Sequence, residues 1–90
     1  MPASPAADSG AAVTMYSTKW CGYCFRLRKQ LDREGVEYDV VDIDRDEEAA
    51  FLVMQVNNGN QTVPTMVYRD GSAQTNPSVK DVKAKLASLN

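Results

Sequence analysis

Apolar positions repeat with two different periods along this chain, and each change of period predicts a change of element. Val13-Thr14-Met15-Tyr16 is a short, mostly apolar run and predicts a strand over about Ala12 to Ser17. The period then lengthens. Leu27 and Leu31 stand at helical spacing behind Cys24, while Arg26, Lys29 and Arg33 point elsewhere. This predicts a helix running to about Glu34 and closed by Gly35, because glycine accepts the left-handed conformation of a helix C-cap. Val36 to Val41 (VEYDVV) alternates again and predicts a second strand. Asp44 or Asp46 then caps a second helix, from Glu47 to about Val56, with acidic side chains at its electropositive end. Asn57-Asn58-Gly59-Asn60 ends that helix as a loop.

Beyond Pro64, Thr65-Met66-Val67-Tyr68 has strand character. Asp70-Gly71 is a hairpin signal that pairs Met66 to Tyr68 antiparallel with Ser72 to Thr75. Asn76-Pro77 closes the hairpin region, and Ser78 with Asp81 three residues later has the pattern of a capping box. The last helix carries Val79, Val82, Leu86 and Leu89 on one face. The order βαβ, α, ββα predicts an α/β fold: a four-stranded mixed sheet flanked by three helices. A right-handed crossover makes the first two strands parallel.

Composition narrows the function classes. Ninety residues make one domain, small enough that about 60% of the unfolded surface is buried on folding. The net charge of −2 argues against a general nucleic-acid binder. Met1 to Gly10 (MPASPAADSG) has neither a basic n-region nor an apolar h-region, so it does not match a secretory signal. Residues 1–11 are expected to form a flexible tail and 12–90 the domain. The longest apolar stretch, around Ala49 to Met54, is too short to span a membrane. Two cysteines cannot build the disulfide framework of a small secreted protein, which leaves a reducing cytoplasm as the expected location and a monomer as the default state.

Those two cysteines carry the chemistry. Trp20-Cys21-Gly22-Tyr23-Cys24 places a dithiol where the first strand hands over to a helix, the usual signal for thiol–disulfide exchange. The thiolate is the nucleophile, and an ordinary cysteine is only about 3% ionised at pH 7. Cys21 at the mouth of a helix faces backbone N–H groups without intrahelical partners, and Lys19 adds a positive charge; both favour the thiolate. Cys24 lies one turn further in, on the same face, at a separation that suits an S–S bond. Cys21 is therefore the attacking thiol and Cys24 the resolving one. The chain has no histidine, so a Cys–His base is excluded. Structural zinc usually takes four Cys or His ligands and is disfavoured. An iron–sulfur cluster shared by two chains is the alternative from another class, and a silent buried thiol pair is the bland one.

Thr62-Val63-Pro64 is the second informative segment. Most X–Pro bonds are trans, which makes a plain turn the bland interpretation. A cis bond would instead aim the Val63 backbone at a thiol bound on the dithiol. Asp42-Ile43-Asp44-Arg45-Asp46 imitates the start of a calcium loop but has Glu47 in place of the required glycine and Val53 in place of the bidentate glutamate. A strand end followed by a helix cap fits better. Trp20 is expected to be at least partly buried, as indole rings usually are. Tyr23 is expected to be exposed as a wall for substrate, and Arg26, Arg28, Lys29 and Arg33 to form a solvated helix face.

Together, Trp20-Cys21-Gly22-Tyr23-Cys24, the Asn-Gly-Asn loop with Thr62-Val63-Pro64-Thr65, the Asp70-Gly71 turn and Thr75-Asn76-Pro77-Ser78 resemble the glutaredoxins of the thioredoxin superfamily. The likeness covers about Ala12 to Leu89 and is closest to mycoredoxins, glutaredoxin-like enzymes of actinobacteria that work with mycothiol. Two departures matter. Gly22-Tyr23 stands where typical glutaredoxins have Pro-Tyr and thioredoxins Gly-Pro. Thr75-Asn76-Pro77-Ser78 stands where glutathione-using members carry paired glycines and the residues that hold a γ-glutamyl end. The resemblance implies reduction of protein–mycothiol mixed disulfides, with mycothiol as co-substrate and no bound cofactor. An NADPH-dependent mycothiol disulfide reductase would recycle the product. It further implies that Lys19, Trp20, Tyr23, Thr62, Val63, Pro64, Thr75 and Asn76 line the thiol groove. A dithiol redoxin fed by thioredoxin reductase, for example as electron donor to ribonucleotide reductase, is the rival within the same class.

Overall fold

The computed structural model describes residues 11–89; the expected N-terminal tail, apart from Ala11, lies outside them. Four strands and three helices follow in chain order: β1 (Val13–Ser17), α1 (Gly22–Arg33), β2 (Asp39–Asp42), α2 (Glu47–Val56), β3 (Thr65–Tyr68), β4 (Ala73–Thr75) and α3 (Val79–Ser88). The strands form one mixed sheet in the order β2-β1-β3-β4. β1 and β2 run parallel, with Met15 opposite Val40, and the remaining pairs are antiparallel, with Met15 opposite Met66 and Thr65 opposite Thr75.

Strand alternation divides the core in two. Val13 and Met15 of β1 and Met66 and Tyr68 of β3 meet Cys24, Leu27 and Leu31 of α1 and Val82 of α3. On the opposite side of the sheet, Tyr16 and Val41 pack with Ile43 against Ala49 and Val53 of α2. The helices therefore cover both faces, and β1 is buried along its whole length. Leu31 and Val53 are fully buried, so truncating either to alanine removes packing worth about 2–5 kcal/mol for leucine and somewhat less for valine.

The element ends follow from local chemistry. Gly35, at φ +72°, ends α1 in a Schellman arrangement: its N–H bonds to Asp32 C=O and that of Val36 to Leu31 C=O. This turn explains a correction at β2. The alternation of VEYDVV predicts a strand from Val36, but Val36 completes the helix cap and Tyr38 hydrogen-bonds through its phenol to Asp32 Oδ1 at 2.7 Å. Strand pairing begins only at Asp39. Between the two candidate caps of α2, Asp46 is the cap, accepting from Ala49 N–H at 3.1 Å. The calcium-like segment is thus a strand end and a helix cap. The Asp70-Gly71 hairpin closes with Gly71 N–H on Tyr68 C=O and Gly71 at φ +90°, and the four residues from Arg69 to Ser72 delay β4 to Ala73. The capping box of Ser78 and Asp81 is present at α3. Among the described residues, no helix is long and apolar enough to cross a membrane.

Candidate active site

The end of β1 and the start of α1 put Cys21 at the N-cap of α1, in extended conformation (φ −90°, ψ 104°). Gly22, Tyr23 and Cys24 form the first helical turn, where backbone N–H groups lack intrahelical acceptors. Cys21 Sγ takes the place that a serine or aspartate oxygen takes at other caps: Cys24 N–H donates to it at 3.1 Å. The sulfur thus faces the N-terminal end of α1 and takes up one of its free N–H groups.

The two thiols differ in environment. Both are free; Cys21 is partly exposed, while Cys24 is 2% exposed and belongs to the core beneath α1. Burial, followed by its hydrogen bond to and interaction with Cys21, raises the Cys24 thiol well above the ordinary thiol range. Cys24 therefore holds its proton more tightly than an ordinary thiol. The pair divides into a partly exposed sulfur at a helix mouth and a buried one behind it; Cys24 is the less exposed of the two, as the spacing predicts.

The segment Thr62-Val63-Pro64 lies against this pair. The Val63–Pro64 peptide bond is cis, Pro64 is fully buried, and Val63 C=O lies 3.8 Å from Cys21 Sγ. Pro64 C=O accepts from Asn76 N–H at 2.8 Å, which ties the turn after β4 to the proline segment. Asn76 itself has the left-handed φ of +49°. Thr62 C=O accepts from the buried Thr65 hydroxyl at 2.7 Å. Tyr23, 64% exposed, stands on the opposite wall and shares a cavity with Asn76. Cys21, Cys24, Tyr23, Val63, Pro64 and Asn76 are thus gathered at one end of the sheet. Thr62 lies three residues ahead of β3, and Thr75 ends β4. Lys19 stands exposed on the turn ahead of α1, with no ion pair or hydrogen bond to the others among the described residues.

Trp20 requires a correction. It is 89% exposed, the most exposed large apolar side chain described, rather than a packing residue. Its composition suggests burial, but it lies between the strand end and the helix cap, beyond the last layer of the sheet. The basic residues Arg26, Arg28, Lys29 and Arg33 are all exposed, as expected of a solvated face.

One organising residue escapes the sequence analysis. Asn57, at the C-cap of α2, donates through Nδ2 to Val53 C=O at 2.8 Å and to Thr65 Oγ1 at 3.1 Å, and its Oδ1 accepts from the Thr75 hydroxyl at 2.6 Å. It ties α2, β3 and β4 together beside the proline segment. Sequence alone shows an asparagine in an Asn-Asn-Gly-Asn loop, for which turn propensity is the sufficient explanation; only the fold brings Thr65 and Thr75 to it.

Comparison with known proteins gives concordant results. A family model described as Glutaredoxin matches residues 13–72. The chain is 52% identical over 77 residues to Mycoredoxin 1 of Corynebacterium glutamicum, covering 86% of this chain and 95% of that protein. A shorter match, 38% identical over 53 residues, joins 58% of this chain to 61% of a glutaredoxin of Pseudomonas aeruginosa. Among solved structures, a glutaredoxin from Archaeoglobus fulgidus superposes with a TM-score of 0.66 at 28% identity, covering 92% of this chain and 94% of that one.

Proposed function

Because the chain belongs to the glutaredoxin family of thiol–disulfide oxidoreductases, we propose that it reduces mixed disulfides between proteins and mycothiol, with Cys21 as nucleophile and Cys24 as resolving thiol. The observation that carries the assignment of roles is the placement of Cys21 Sγ at the N-cap of α1, 3.1 Å from Cys24 N–H, with Cys24 buried behind it. Two features support mycothiol as the small thiol. One is the similarity to Mycoredoxin 1 over most of both chains. The other is the turn Thr75-Asn76-Pro77-Ser78, which lacks the paired glycines of the glutathione-using pattern.

In the proposed reaction the Cys21 thiolate attacks the mycothiol sulfur of the mixed disulfide. The target's sulfur leaves with the electron pair and takes a proton from water, and a Cys21–mycothiol disulfide is formed. A second mycothiol thiolate attacks the mycothiol sulfur of that bond and restores the Cys21 thiolate, releasing mycothiol disulfide. An NADPH-dependent reductase returns this to two thiols. Cys24 opens a branch: once deprotonated, it attacks Cys21 Sγ, expels mycothiol and leaves a Cys21–Cys24 disulfide for an external dithiol donor, of which thioredoxin reductase is one candidate. Raised as it is by burial, the Cys24 thiol is slow to take that branch. The Val63 backbone and the side chains of Lys19, Trp20, Tyr23, Thr62, Thr75 and Asn76 border the bound thiol. Mycothiol, mycothiolated proteins and the cytoplasm are the partners and the setting that fit this chemistry, with the protein working as a monomer.

Mass spectrometry of trapped intermediates tests the assignment. Cys24→Ser treated with a mycothiolated peptide is expected to gain one mycothiol on Cys21 and to keep turnover. Cys21→Ser is expected to gain none and to be inactive. Equal loss of activity in both variants would mean that the dithiol branch is obligatory.

A further inference from the structure

Beside Tyr23 a cavity of about 280 Å³ opens between α1 and the turn that follows β4. Tyr23, Arg26 and Gln30 form one wall, Asn76, Pro77 and Ser78 the other. The first three stand at i, i+3 and i+7 and so share one face of α1. Seven residues of helix extend the groove about 10 Å away from the dithiol. The far wall is held in place relative to the nucleophile: Asn76 N–H bonds to Pro64 C=O, and the neighbouring Val63 C=O lies 3.8 Å from Cys21 Sγ. A small thiol joined to Cys21 would have this groove as an extension of its own site.

The chemistry of the lining is specific. Among the described residues, the Tyr23 phenol, the Arg26 guanidinium and the carboxamides of Gln30 and Asn76 make no hydrogen bond or ion pair with another residue. The Ser78 hydroxyl accepts from Asp81 N–H and still has its own proton to donate. The groove therefore offers several unengaged donors and acceptors and one aromatic ring, beside the apolar Leu27 and Pro77. No carboxylate lines it, and the nearest acidic group at the turn, Asp81, is engaged with Ser78 N–H. A ligand ammonium would find no counter-ion here. Hydroxyl groups, each a donor and an acceptor, match the set.

We propose that this groove is a subsite for a neutral, polyhydroxylated group, the sugar end of a low-molecular-weight thiol held on Cys21, and that Arg26 and Gln30 are its specificity-determining residues. The inference rests on the reading of a sugar-bearing thiol as co-substrate. It adds the place where the sugar sits and two residues outside the dithiol and proline motifs.

One peptide, disulfide-linked in turn to mycothiol, to N-acetylcysteine, which has the cysteine without the sugar, and to glutathione, provides the test. The quantity compared is the ratio of kcat/KM for the mycothiol substrate to that for the N-acetylcysteine substrate. In Gln30→Ala this ratio is expected to fall about tenfold, the loss of one or two hydrogen bonds, and in Arg26→Gln severalfold. The loss should appear in KM. Ratios equal to wild type in both variants would overturn the subsite while leaving the proposed function standing. A selective loss with the glutathione substrate in Arg26→Gln would also overturn it, because Arg26 would then be a carboxylate site. Wild-type protein that fails to turn over the mycothiol substrate at all would remove the proposed function and this inference together.

Discussion

Replacing Asn57 by alanine removes three side-chain hydrogen bonds at once, to Val53 C=O, Thr65 Oγ1 and Thr75 Oγ1. At about 1 kcal/mol net for each, the ceiling is about 3 kcal/mol. Two of the three groups are partly compensated. Thr75 is exposed, so water replaces its lost acceptor. Val53 C=O still accepts from the backbone N–H of Asn57 at 3.0 Å. Thr65 is fully buried and retains only its bond to Thr62 C=O. The backbone at position 57 has φ −113°, which alanine adopts without strain, so no conformational penalty is added. The expected loss is about 2 kcal/mol, or a fall of about 10 °C in Tm for a domain of this size. Urea unfolding monitored by circular dichroism should give a lower midpoint with an unchanged slope. Asn57→Asp keeps the acceptor for Thr75 and loses both donors, and should fall between alanine and wild type. Because Asn57 holds Thr75, and the adjoining Asn76 lines the cavity beside Tyr23, Asn57→Ala should also raise KM for the small thiol if that thiol binds as proposed. A loss below about 0.5 kcal/mol, the level of an ordinary surface substitution, would refute the idea that this side chain locks α2 to the sheet.

Iodoacetamide at pH 7 should label the reduced native protein once, on Cys21; peptide mapping that finds Cys24 labelled at a comparable rate would contradict the division of roles. The raised Cys24 thiol also sets a pH dependence. The unfolded chain releases this proton near the ordinary thiol value of about 8.5 and the folded chain retains it, so stability is full below that pH and falls as pH rises past it. The slope is up to about 1.4 kcal/mol per pH unit for this group, steepened above about pH 10 by Tyr68, whose phenol burial also raises. Cys24→Ser should flatten the first part of the decline in a urea series from pH 8 to 10. Thr14 is buried in β1 and its hydroxyl has no hydrogen-bond partner among the described residues, so Thr14→Val should raise stability by about 1 kcal/mol; a destabilised variant would show that the hydroxyl is satisfied.

Much of this architecture is written in the residues themselves. Leu27 and Leu31 behind Cys24 mark the buried face of α1, Gly35 its end, and Ser78 with Asp81 the start of α3, because each depends on neighbours within a few positions. The dithiol at a strand-to-helix junction is equally local. What was not legible depends on distant contacts. The alternation of Val36 to Val41 does not reveal that Val36 and Tyr38 are engaged with the end of α1. Trp20 is apolar by composition and exposed by position, where no layer of the fold faces it. Asn57 acquires its role only when β3 and β4 arrive beside α2.

The most direct test of the central claim is turnover of a mycothiol mixed disulfide by wild type and Cys24→Ser, with mycothiol and its reductase compared against glutathione and glutathione reductase. The account predicts turnover with the mycothiol system, retained in Cys24→Ser, and little with the glutathione system. Turnover only when thioredoxin reductase is supplied, lost in Cys24→Ser, would contradict it and make the protein a dithiol redoxin.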